Sequence, residues 1–285
     1  MRSTVVRWRR RRRWGGLVAP FADCALAAEQ SIAYLHLPKT GGTSLRSALM
    51  ASPDWTVVTP QRHAAGPPPI PPIPPIPPNS GTGPGFCLGL EHEPYDALEW
   101  WRARLGRHGV TIGRTLTTVR PARERVVSMF HFYWTLVHEA EAATRGELQL
   151  PPDVARVADY HRHDARHYRS DDGTIDGRKW FGAFDLLTHD VTFFLDDVFG
   201  GSPERLRRAV GSDGLELVRA EEVDALQRSL TGGVGPRLRT RTRLDPERLE
   251  TAARTAADLI DRLAARDADY DRVIADLTGD DAFRA

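Results

Sequence analysis

Cysteine is nearly absent: Cys24 and Cys87 are the two in 285 residues. Two thiols cannot build the disulfide framework that staples small extracellular domains, so a reducing, cytoplasmic setting is the expectation. Net charge is nearly absent too, at +1 with histidine neutral. No global field draws such a chain to nucleic acid, and any anion site must be local. Long apolar runs are missing, and no segment reads as a membrane span. What is present is ordinary for a folded chain. Apolar residues make up 41% and charged residues 27%, a balance that excludes wholesale disorder. The length fits one large α/β domain or two small ones.

The N-terminus departs from this average. Arg9 to Arg13 form an unbroken basic run between Trp8 and Trp14, and a fairly apolar stretch follows to Ala28. Ala25-Leu26-Ala27 gives it a faint likeness to a signal peptide, but Pro20 and Asp23 interrupt the apolar part. The expectation is a basic, disordered tail over 1–30, with peripheral attachment to a membrane as the alternative.

Ser31 to Leu37 is a short β-rich run that stops at a proline and a glycine pair, as a buried strand entering a tight loop does. Ser44 to Met50 then has helical composition, with Leu45 and Leu49 four apart on one face. Strands are expected at Trp55–Thr59, Gly85–Leu90 and Thr111–Val119, and helices at Tyr95–Arg107 and Ala122–Glu141. Alternating strands and helices predict an α/β fold, three-layered, with a central parallel sheet flanked by helices. From Phe181 onward the chain reads as mostly helical, including one long stretch over Asp245–Leu277.

Two insertions interrupt the pattern. Residues 67–78 read PPPIPPIPPIPP. Proline donates no backbone hydrogen bond, so this strip is polyproline II or linker. It is read as a low-complexity insertion over 66–84; the alternative is a docking strip for a proline-recognising partner, with Ile70, Ile73 and Ile76 along one edge. Residues 147–179 form a polar insertion rich in histidine and arginine. His163 and His167 there stand four apart, but no acidic or cysteine partner has a matching offset, so no metal is expected. The alternating Arg237, Arg239, Arg241 and Arg243 are either a solvated loop or contacts for an anion.

The chemistry concentrates in His36-Leu-Pro-Lys-Thr-Gly-Gly-Thr-Ser44. This is not a Walker A loop, because Lys39 precedes the glycines. The physics is shared all the same. Gly41 and Gly42 let backbone approach an oxyanion, and successive N–H groups from Thr40 to Ser44 can cradle it. The Thr43 and Ser44 hydroxyls add donors, and Lys39 brings a mobile point charge.

The segment Pro38-Lys39-Thr40-Gly41-Gly42-Thr43-Ser44 resembles the 5′-phosphosulfate loop of sulfotransferases that use 3′-phosphoadenosine 5′-phosphosulfate (PAPS). The paired glycines after His-x-Pro resemble the carbohydrate branch that includes heparan sulfate 2-O-sulfotransferase. In that family an Arg at a strand end, and a Ser eight residues beyond it, hold the donor's 3′-phosphate. Arg120-Pro-Ala-Arg-Glu-Arg-Val-Val-Ser128 keeps the spacing but replaces the usual Asp-Pro turn with Pro121-Ala122. On the residues alone, Arg120 pairing with a carboxylate and Ser128 as an ordinary helix serine stay open. Leu90-Glu-His-Glu-Pro-Tyr95 is similar to the family's Gly-His-x-Pro-Tyr, which implies that His92 is the general base. Glu91 and Glu93 flank it and are alternatives.

The resemblance implies one sulfotransferase domain over 31–277 with the P-loop NTPase-like fold of that family, followed by a tail at 278–285. It implies PAPS as sulfuryl donor, PAP as product, no metal, and a glycan or glycolipid hydroxyl as acceptor. Lys39 and His92 would be catalytic. A nucleotide-dependent kinase or NTPase, and a non-catalytic PAP-binding scaffold, are the rival readings.

Overall fold

The computed structural model describes residues 31–58, 85–91, 93–107, 111–147, 149, 194–233 and 246–284. The basic tail, the proline-rich strip, nearly all of the polar insertion, its histidines, and Arg237 to Arg243 lie outside them. The described residues group into two compact units. Those from 31 to 119 and from 197 to 233 form the first; those from 120 to 149, 194 to 196, and 246 to 284 form the second.

The first unit is built on β1 (Ser31–His36), all six residues of which are buried. A strand buried on both faces belongs in the middle of a covered parallel sheet. It pairs in parallel with β3 (Gly85–Glu91) on one side and β4 (Arg114–Val119) on the other. The strands β2 (Trp55–Val58) and β5 (Leu215–Arg219) complete a five-stranded parallel sheet in the order β2-β3-β1-β4-β5. The expected α/β architecture, a parallel sheet with flanking helices, is therefore present. β4 is shorter than the sequence suggests. Its register with β1 starts at Ile32↔Arg114, and the Gly113 N–H is already turned to the Ser31 carbonyl and hydroxyl, so Thr111 to Gly113 cannot extend the ladder.

The helices α1 (Gly42–Ala51) and α6 (Val223–Thr231) pack together on one sheet face. Leu45, Leu49 and Val223 there meet Ile32, Tyr34, Val57 and Leu116. The alternate residues Ala33 and Leu35 face the other way and are equally buried. Helix α2 (Tyr95–Gly106), with Leu98, Trp101 and Leu105 buried, contacts β1. Right-handed crossovers place α1 and α2 on opposite faces, because β1 leads leftward to β2 while β3 leads rightward to β4. The carboxyl ends of β1 and β3 consequently flank a topological switch point, where open α/β sheets leave a crevice. Helix α5 (Pro203–Gly211) packs beside β5.

The second unit is helical. Helix α3 (Ala122–Thr144) supplies Val126, Met129 and Phe130 to a core shared with Phe194, Ala256, Leu259, Ile260 and Leu263. The expected single helix over Asp245–Leu277 is instead three: α7 (Pro246–Thr255), α8 (Ala257–Ala264) and α9 (Ala268–Thr278). Asp267 explains the second break. Its buried carboxylate pairs with Arg125 and accepts the Leu195 and Asp196 N–H groups that open α4 (Leu195–Phe199). Holding that acid inward turns the chain out of helical geometry just before α9. No described helix is long and apolar enough to cross a membrane.

Candidate functional site

The loop that follows β1 carries the most constrained backbone described. Lys39 has φ 65 and is the sole non-glycine residue with positive φ among the described residues. For a residue with a Cβ this left-handed geometry costs about 1–2 kcal/mol, and it persists where the surroundings over-determine it. Gly41, at φ 91, is the N-cap of α1. Gly42 has no room for a side chain: a Cβ would lie 2.1 Å from both the His36 Cδ2 and the Tyr34 hydroxyl. The paired glycines thus do two different jobs. Gly41 turns the chain, and Gly42 lets the helix start directly on β1.

At a helix N-terminus the first N–H groups have no intrahelical acceptor, and the macrodipole is positive. No acidic side chain in the first turn of α1 neutralises it. Gly42 and Thr43 supply such N–H groups. Ser44 does not: its N–H is donated to the Gly41 carbonyl at 3.1 Å. In the expected cradle from Thr40 to Ser44, the Ser44 N–H is shared with the first helical turn, which closes on Gly41. The Ser44 side chain is half-buried.

Thr40 faces inward. Its hydroxyl is buried, donates to the Leu37 carbonyl at 2.8 Å, and lies 2.6 Å from the Thr118 hydroxyl on β4. Thr118 in turn lies 2.7 Å from the Tyr34 hydroxyl. Pro38 is buried as well, whereas Lys39 is half-exposed at the loop's apex.

The electrostatics beneath the loop favour an anion above it. His36 is buried and stacks on Tyr34 with centroids 5.7 Å apart. Burial, then the Arg46 and Lys39 charges, push its pKa down to about 3, so the imidazole is neutral. Burial lowers Arg46 and raises the Tyr34 hydroxyl well above its ordinary range. Arg46 stands on α1 four residues after Gly42, on the same helix face. Sequence reasoning named His36 only as the head of the loop motif and gave no role to Tyr34, Arg46 or Thr118. Period-two spacing of Tyr34 and His36, and the i+4 offset of Arg46, were the available signals.

His92 lies outside the described residues. Of the described residues beside it in sequence, Glu91 ends β3 in register with His36, and Glu93, 3% exposed, precedes the start of α2. The β3 end therefore reaches the same edge of the sheet as the Lys39 loop.

Arg120 and Ser128 belong to the second unit. Arg120 follows β4 directly and forms an ion pair with Glu124 at 3.0 Å. Glu124 and Ser128 are four apart on α3, so Ser128 lies one turn beyond that pair on the same face, half-buried. The pair is solvent-exposed, and such i,i+4 bridges are worth about 0.3–0.5 kcal/mol, little enough for a phosphate to displace. The N-terminus of α3 is capped by the Asp271 carboxylate, which accepts the Ala122 N–H at 2.8 Å. Among the described residues no cluster of three or more histidine, cysteine or acidic groups is arranged to hold a metal. Cys87 is buried in β3, its thiol pushed up to about 12 by burial and held inert.

No protein-family model, no curated protein and no solved structure matches the chain.

Proposed function

We propose that this protein is a PAPS-dependent sulfotransferase acting on a hydroxyl of a carbohydrate or glycoconjugate, with the P-loop NTPase-like fold of that family. The observation that carries the reading is the left-handed Lys39 at the head of a glycine loop, which joins the central strand β1 to the N-terminus of α1. That combination suits a donor whose 5′-phosphate and sulfuryl oxygens need N–H donors and one mobile cation. In this reading Pro38 to Ser44 bind the 5′-phosphosulfate, and Arg120 with Ser128 bind the 3′-phosphate. The acceptor oxygen attacks sulfur, and the bond from sulfur to the bridging oxygen breaks. PAP leaves with Lys39 stabilising the charge on that oxygen. The acceptor proton passes to His92, with Glu91 or Glu93 the next candidate base.

The residue order of the loop disfavours a kinase or NTPase, and thermal shift tests the choice. PAP is expected to raise the melting temperature while ATP with Mg²⁺ does not. A shift with ATP and Mg²⁺ alone would overturn the reading. A protein that binds PAP but transfers no label from labelled PAPS to any fractionated glycan or lipid acceptor would be the non-catalytic scaffold instead.

A further inference from the structure

Three hydroxyls buried under the loop form a chain whose direction is fixed by proton counting. Each hydroxyl has one hydrogen to give. The Thr40 hydrogen goes to the Leu37 carbonyl, a pure acceptor, at 2.8 Å. The 2.6 Å contact of Thr40 with Thr118 must then be a donation from Thr118. That uses the Thr118 hydrogen, so the 2.7 Å contact with Tyr34 is a donation from Tyr34. The chain runs from the Tyr34 hydroxyl through Thr118 and Thr40 to the Leu37 carbonyl, the last residue before Pro38. Donors aligned head to tail polarise one another in a low dielectric, which strengthens each link.

The chain spans the elements that frame the loop. Tyr34 is on β1, with its hydroxyl directly under Gly42, the first residue of α1. Thr118 is on β4, 0% exposed, 78 residues away from Thr40 in sequence and 84 from Tyr34. Thr40 and the Leu37 carbonyl bracket Pro38 and Lys39. Pinning both ends of a two-residue bend is what a left-handed Lys39 requires, since unpinned it would relax to negative φ.

We propose that Thr118 is a positioning residue for the anion loop: its hydroxyl relays between Tyr34 and Thr40 and thereby holds Lys39 in the left-handed conformation that presents the loop to the donor. This rests on the sulfotransferase reading for the identity of the anion. The lock itself does not depend on it. Thr118 touches neither donor nor acceptor and acts only through Thr40.

The test compares the full chain with Thr118→Val, which keeps the shape and removes the hydroxyl, and Thr118→Ser, which restores it. Amide exchange without ligand reads the lock, and calorimetric titration with PAP reads its effect on binding. In the valine variant, exchange at Lys39, Thr40 and Gly41 is expected to quicken about tenfold while α6 is unchanged, and PAP binding is expected to weaken about tenfold. Serine should return both to within about threefold of wild type. Valine-variant exchange at the loop equal to wild type overturns the lock. So does a uniform rise across β1 and β3 that serine fails to restore, because that marks general loosening. If the wild-type protein binds no PAP, the sulfotransferase reading fails, and the exchange arm alone decides the lock. If the valine variant does not fold, Tyr34→Phe serves: it removes the first donor only, so a smaller quickening at the loop supports the chain and none overturns it.

Discussion

Glycine at 42 and lysine at 39 occupy positions with opposite economies. At 42 the Cβ of even alanine would overlap the buried His36 ring and Tyr34 hydroxyl, far inside van der Waals contact. Gly42→Ala is expected to destabilise the protein by more than about 2 kcal/mol, since overpacking a rigid site forces backbone shifts. A urea midpoint matching wild type would show that α1 can slide off β1. At 39 the side chain itself is the source of strain. Lys39→Gly removes about 1 kcal/mol of left-handed cost and adds a similar entropy to the unfolded chain. Its melting temperature should therefore stay near wild type, while PAPS turnover falls about 10²–10³-fold, as when one preorganised donor is lost. PAP affinity should change far less. Retained turnover would remove Lys39 from the mechanism. The loop was readable from sequence because glycine and lysine at fixed spacing state their own backbone needs. Thr118 and Tyr34 were not readable, because threonine and tyrosine in strands are ordinary, and only the fold brings residues 84 apart within hydrogen-bond reach.

Among the elements, α3 has the most informative start. Its Ala122 N–H is received by Asp271, a carboxyl raised to about 6 by burial, and by Asp267 nearby, despite the Ala122 and Arg125 contributions that oppose the rise. A folded pKa above the ordinary 3.8 means that this group's stabilisation is fully present below pH 3.8 and lost as pH climbs through about 6. Asp271→Asn keeps an acceptor for Ala122 without the charge. It should match wild type near pH 4 and exceed it at pH 7 by up to about 3 kcal/mol. Equal stability at pH 7, measured by denaturant unfolding, would contradict the rise. The sheet strands and the main helices were legible from periodicity and punctuation. The three-way division of the C-terminal helices was not. A buried Asp267 that pairs with Arg125 and caps α4 looks in sequence like any exposed helical acid.

For the molecule as a whole, acid acts on the two units with opposite sign. His36, held down to about 3 from an ordinary 6.5, stays neutral when folded and takes a proton when unfolded. Its contribution to the first unit is complete above pH 6.5 and lost as pH falls towards 3, on the order of 4 kcal/mol in full. Asp271 gives the second unit the reverse trend between 6 and 3.8. Between pH 7 and 5, exchange corrected for intrinsic rates should show β1 losing protection while α3 gains it. Parallel changes in both would sink this assignment. The near-zero net charge requires any anion recognition to be local, and at the loop the charge is Lys39's, since the neutral His36 adds none. The strand order carries one more consequence, in time instead of space. The strand that ends in the loop is made before the other strands of the sheet, yet both its neighbours follow much later, β4 after all of β2, β3 and α2. The hydroxyl chain beneath the loop cannot close before Thr118 arrives, so a nascent or truncated chain ending earlier lacks that lock. Such a chain waits with the β4 side of its central strand unpaired. The long delay predicts slow folding, in which closing the hydroxyl chain beneath the loop is among the last events.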